Sequence, residues 1–202
     1  MFNMSDGRVE SLQTSVAIFG FGEMKDALSH GAMQDLNNEA NTQLDDGVHA
    51  EQTENLLYRA KVASLGPVAI ELLKSNEMRE LLQTVFTQQF ELSENISCYT
   101  NYGPGDHLGA HLDKPAGECA VTIIIYVKTA SPDPKAPDTG LVLHVYGEDA
   151  DSIGKPRMRI ATTAGSLVIG RGSRVWHERP RLKSDESVIA ITGCYKLAEA
   201  AP

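Results

Sequence analysis

Residues 101–127 read NYGPGDHLGAHLDKPAGECAVTIIIYV. Gly103-Pro104-Gly105 is turn chemistry, because proline presets one backbone angle and glycine tolerates positive φ. HLGAHLD is then short enough for a strand. AVTIIIYV is rich in β-branched residues and reads as a buried strand. Side chains along a strand alternate faces, so His111 and Asp113, at i and i+2, project to the same side. Working outward, LVLHVY, RMRIATT, GSLVIG, SRVWH and SVIAITGCY repeat this texture toward the C-terminus, with the Pro-rich SPDPKAPDTG between two of them. Regular spacing of short strands predicts an antiparallel barrel or sandwich.

The upstream half reads differently. Residues 1–14 are expected to be a mobile lead, and SVAIFGF a short apolar strand. EMKDALSHGAMQDLNNEAN is expected to form an amphipathic helix, with a long polar loop from about Asn37 to Asn55. Pro67 suits a first helical turn, and one long helix is expected from there to Phe90. The chain of 202 residues is thus read as a single α+β domain over 1–202, with 1–90 a mainly helical support layer and 91–197 the β core.

Bulk composition narrows the function classes. The net charge of −9 argues against non-specific nucleic-acid binding. It is unevenly placed, however. Residues 155–183 hold Lys155, Arg157, Arg159, Arg171, Arg174, Arg179, Arg181 and Lys183 against Glu178 alone, a stretch that could draw an anionic small molecule. No apolar run approaches the roughly 18 residues of a membrane span, and the N-terminus carries no export-signal pattern. Cys98, Cys119 and Cys194 are odd in number and widely spaced. A disulfide framework is therefore not expected, and a reducing cytoplasm is the default. A Gly-rich phosphate loop, a GxSxG elbow and a CxxC pair are all missing from the sequence.

The chemistry rests on His111-Leu112-Asp113. A third ligand must come from another strand, and His177, at the end of SRVWH, follows Asp113 by 64 positions. Two imidazoles and one carboxylate on one face of an ion leave coordination positions open, which is the facial triad of non-haem Fe(II) oxygenases. His107 and His111 make an HxxxH spacing, but the upstream turn argues against the helix that a zinc pair would need. His107 is read as a pocket-mouth or surface residue.

From about Tyr99 to Tyr195 the sequence resembles the prolyl-hydroxylase branch of the Fe(II)- and 2-oxoglutarate-dependent oxygenases. NYGPGDHLGAHLDKPAGECAVTIIIYV is similar to the family segment with the first two ligands, TGLVLHVY to its turn and strand, GSLVIGRGSRVWHE to the strand pair bearing the last ligand, and SVIAITGCY to the closing strand. The resemblance implies a double-stranded β-helix, a jelly-roll or cupin-like barrel of about eight strands with N-terminal supporting helices. It implies His111, Asp113 and His177 as ligands of Fe(II), with 2-oxoglutarate and O2 as cosubstrates. It also implies that Tyr126 and Thr192 lie near the distal carboxylate of 2-oxoglutarate and that Tyr102 lines the same pocket. Hydroxylation is the default outcome, and desaturation or ring closure are alternatives. The substrate is expected to be a small molecule or an amino acid or peptide, bound without nucleic acid or membrane.

One position departs from the family pattern. The basic residue expected on the closing strand is Val188 when aligned on Ala190-Ile191-Thr192, or Ser187 when counted from His177. A buried carboxylate with no cation costs several kcal/mol. Arg174, Arg181, Lys183, Arg159 and Lys128 are the candidate substitutes, Arg174 first because its strand delivers His177. Otherwise the chain is an iron oxidase that needs no keto acid, or a binding module without catalysis.

Overall fold

A computed structural model describes residues 2–53, 56–130 and 139–199. Four helices precede the ligand-bearing strands: α1 (Asp6–Phe19), α2 (His30–Asp45), α3 (Pro67–Lys74) and α4 (Asn76–Phe86). The strands are β1 (Phe21–Met24), β2 (Val48–Thr53), β3 (Leu56–Ser64), β4 (Phe90–Leu92), β5 (Cys98–Tyr102), β6 (His107–His111), β7 (Val121–Ala130), β8 (Val142–Val145), β9 (Met158–Ala161), β10 (Leu167–Gly170), β11 (His177–Arg179) and β12 (Ser187–Leu197). They form one antiparallel sheet in the order β1-β10-β7-β12-β5-β3-β6-β11-β8-β9, with β2 added beside β3 and β4 beside β12. The sheet curls into a nearly closed barrel, the double-stranded β-helix.

The first ninety residues are more than a helical layer. The expected mobile lead is most of α1, which buries Leu12 and Val16. The helix continues through Phe19 and stops at Gly20, whose φ of 78° is the left-handed cap conformation glycine tolerates. The apolar run from Ser15 to Phe21 is therefore a helix end and only the start of a strand. The expected long loop is the second half of α2 followed by β2. Its polar residues face outward while Leu36, Ala40 and Leu44 recur every four positions on the buried side, so composition concealed the period. Strand β3 sits between β5 and β6 in the sheet, and the twelve described strands exceed the expected eight. The long helix expected from Pro67 to Phe90 is two helices, because Ser75 leaves the helical path and caps α4 by accepting from the Met78 N–H.

Strand β7 explains why IIIYV is apolar on both faces. Ile123, Ile125 and Val127 pack against the helices with Leu72, Leu81 and Phe86. Ile124 and Tyr126 face the barrel interior with Tyr102, Val145, Val168, Val188 and Ala190. Cys119 and Cys194 are bonded to each other, contrary to the expectation of free thiols. Cys194 lies opposite Thr122 across the β7–β12 pair, which brings a residue just ahead of β7 within a Cα–Cα distance of 4.6 Å. Among the described residues only Cys98 is a free cysteine.

Candidate metal centre

His111 ends β6 and His177 begins β11, and the two residues are direct partners across that strand pair. Their rings lie 4.2 Å apart between centroids. Asp113 follows β6 by two residues, and its backbone N–H donates to the Gly172 carbonyl at 2.9 Å. One Asp113 oxygen, Oδ1, lies 3.2 Å from His111 Nε2 and 3.6 Å from His177 Nε2. The three ligand atoms fall within 4.8 Å of one another, a group that could hold a metal ion.

The remaining ring nitrogens fix the tautomers. His111 Nδ1 donates to the Gly109 carbonyl at 2.9 Å, and His177 Nδ1 to the Val175 carbonyl at 3.0 Å. Both Nε2 atoms are thereby turned toward Asp113, and bonds of this kind orient metal-ligating histidines. The other Asp113 oxygen accepts from the Thr122 hydroxyl. Phe21 packs its ring 4.9 Å from the His177 ring. Burial, and after it the neighbouring His111, hold His177 down at about 4 against the opposing pull of Asp113. Burial pushes Asp113 up, but His177, His111 and Thr122 together outweigh it and keep the carboxyl well below the usual range. Near neutral pH the centre therefore presents a carboxylate and, at His177, a neutral imidazole, the forms a metal requires.

Glycine 172 makes room for this arrangement. A Cβ there would overlap both Asp113 Oδ2 and Thr122 Oγ1. Beside the triad opens a cleft of about 710 Å³, lined by Leu56, Tyr58, Ile96, Leu108, Leu112 and Trp176, with Cys98, Thr100, Tyr102 and Thr192 among its polar and aromatic members. The sequence-expected Tyr102 and Thr192 thus border the triad's cleft. Tyr126 is fully buried in the barrel interior.

Across the closing strand β12, Val188 pairs with Tyr102, Ala190 with Thr100 and Thr192 with Cys98. Val188, not Ser187, is therefore the inward residue at the expected basic position, and it is wholly buried. None of the five substitute cations is placed beside it. Arg174 is exposed and pairs with Glu148 at 3.7 Å, next to the end of α1. Arg181 is turned to the Gly105 carbonyl, Arg159 sits opposite His144 on the outer sheet edge, and Lys183 lies in the turn before β12. Lys128 is exposed because of a bulge. Ile189 opposes Lys128 while the adjacent Ala190 opposes Tyr126, so the extra residue reverses the face of Lys128. A similar bulge between the His177–His111 and Arg179–Leu108 pairs puts Leu108, rather than His107, on the face of His111.

Among the described residues, the cation buried inside the barrel is Arg179. It is 4% exposed. Its Nη2 donates to the Tyr126 hydroxyl at 3.1 Å, and its Nη1 donates to Thr162 Oγ1 at 2.9 Å and to the Gly140 carbonyl at 3.4 Å. Its guanidinium carbon lies 5.3 Å from the rings of both Tyr102 and Tyr126. Sequence reading counted Arg179 in the basic run and passed over it. The signal was present, since Arg179 stands at i+2 from His177, the same parity that joins His111 to Asp113.

No family model matches the sequence, and no curated protein is significantly similar to it. Solved structures do match. A Pseudomonas putida prolyl-4-hydroxylase superposes with a TM-score of 0.70 at 17% identity, over 95% of this chain and 100% of that one. The fold is that of the 2-oxoglutarate- and Fe(II)-dependent oxygenases. The non-haem, α-ketoglutarate-dependent epimerase SnoN of nogalamycin biosynthesis gives a TM-score of 0.76 at 13% identity, over 96% and 82% of the two chains. A Trichoplax adhaerens prolyl hydroxylase, solved with a hypoxia-inducible-factor peptide, gives 0.68 at 17% identity, over 93% and 88%.

Proposed function

We propose that this chain is a non-haem Fe(II) oxygenase that uses 2-oxoglutarate and O2 to oxidise an organic substrate with an apolar body. The observation that carries this reading is the convergence of His111, Asp113 and His177, their ligand atoms within 4.8 Å of one another, beside a cleft that His111 and Asp113 help to line. Two imidazole nitrogens and a carboxylate are a donor set suited to ferrous iron. Bound there, the ion supplies the redox chemistry that activates O2. The chain's own residues hold the ligands in register, through Thr122 on Asp113 and the Gly109 and Val175 carbonyls on the imidazoles.

The cleft walls contribute the substrate side. Leu56, Tyr58, Ile96, Leu108, Leu112 and Trp176 offer apolar and aromatic surface, suited to a small molecule or peptide side chain that leaves water on binding. The Pro-rich SPDPKAPDTG falls almost wholly outside the described residues. Proteins of this fold include a hydroxylase, an epimerase and a carbocyclase, so the fold does not select among hydroxylation, desaturation and ring closure. The keto-acid-free oxidase drew its support from Val188, and a buried guanidinium elsewhere in the barrel removes that support.

The test is an anaerobic Fe(II) titration with and without 2-oxoglutarate. A weak visible charge-transfer band is expected only when both are present. Asp113→Ala should abolish tight Fe(II) binding. Unchanged affinity in that variant, or O2 consumption that ignores the keto acid, would overturn the assignment.

A further inference from the structure

Arg179 is a charge without a counter-ion. Among the described residues no Asp or Glu side chain pairs with it, although it is almost wholly removed from solvent. An isolated buried cation is costly unless an anion joins it. Its three protein contacts occupy Nη1 twice and Nη2 once. A guanidinium has five N–H donors, so Nε–H and the second Nη2–H are left. The Nε–Nη2 edge of a guanidinium is a fork that can grip a carboxylate with two parallel hydrogen bonds.

Its position fits the same conclusion. Arg179 and His177 share strand β11 two residues apart, roughly 6.6 Å along the strand, and both are buried in the barrel. Tyr102 borders the cleft beside the triad and also lies against the guanidinium. A short dicarboxylate with one end at the triad can therefore reach Arg179 with the other. We propose that Arg179 receives the distal carboxylate of the keto-acid cosubstrate, with the Tyr126 hydroxyl beside it and Val188 only filling space. This assignment rests on the oxygenase reading above.

Binding of 2-oxoglutarate to the full-length Mn(II)-loaded protein, followed by calorimetry without O2, tests it. Arg179→Met should weaken 2-oxoglutarate at least tenfold and leave Mn(II) affinity within about twofold. The preference of the parent for 2-oxoglutarate over 2-oxovalerate, which lacks the distal carboxylate, should collapse in the variant. Arg174→Met should bind both keto acids as the parent does. If Arg179→Met does not fold, Arg179→Lys keeps the charge without the fork and should still lose most of that preference. A folded Arg179 variant with parental 2-oxoglutarate affinity and preference would overturn the anchor alone. A parent protein that binds Mn(II) but no 2-oxoglutarate would overturn the oxygenase reading itself.

Discussion

Gly172 lacks a side chain where one would strike the Asp113 carboxylate. Its conformation is not the reason, since the constraint is the space taken by Asp113 and Thr122. Gly172→Ala should displace Asp113 and lower Fe(II) affinity by about tenfold or more, read by anaerobic titration. Parental affinity in a folded variant would show that Asp113 is not a ligand. Thr122→Val removes only the hydroxyl that Asp113 accepts from, and losses of about 10–100-fold are expected for such outer partners. At this scale the sequence was legible wherever strand parity held. It put His111 and Asp113 together, whereas Arg179, at the same i+2 spacing from His177, was passed over. The rule failed at Lys128, where a bulge reverses the face, and a bulge leaves no mark in residue type. The steric role of Gly172 needs two segments to be brought together, so no local pattern could reveal it.

Helices α2 and α3 and strand β5 meet at one carboxylate. Glu39 accepts from the Val68 N–H at 2.6 Å and the Ala69 N–H at 2.9 Å, both unpaired donors of the first turn of α3, and from the Tyr99 hydroxyl at 2.9 Å. Glu39→Ala should cost about 1.5–3 kcal/mol in chemical denaturation, with Fe(II) affinity unchanged. A loss under half a kcal/mol would mean water replaces the carboxylate without penalty. Ser75→Ala, which removes the cap of α4, should cost about 1 kcal/mol. Element boundaries were the least legible feature of the upstream half. Pro67 correctly marked the start of α3, yet the break at Ser75 was hidden inside a continuous apolar period. Glu39 drew no notice because its partners lie about thirty and sixty residues away.

At the scale of the molecule, the described residues form two apolar interiors on either side of the β7–β12 layer, one against the helices and one inside the barrel. The bond between Cys119 and Cys194 joins residues 75 positions apart along this layer. Without reductant, denatured protein should expose one reactive thiol, Cys98, and after reduction three. Three at the outset would refute the pairing. Reduction should lower stability by about 2–4 kcal/mol. The pairing also has a topological consequence. Residues 119–194 form a covalent ring carrying Tyr126, His177 and Arg179, whereas His111 and Asp113 hang on the tail that enters it. A protease cutting once anywhere inside the ring therefore releases no fragment. The nicked chain should migrate as a single species on a non-reducing denaturing gel and separate into two only when thiol is added.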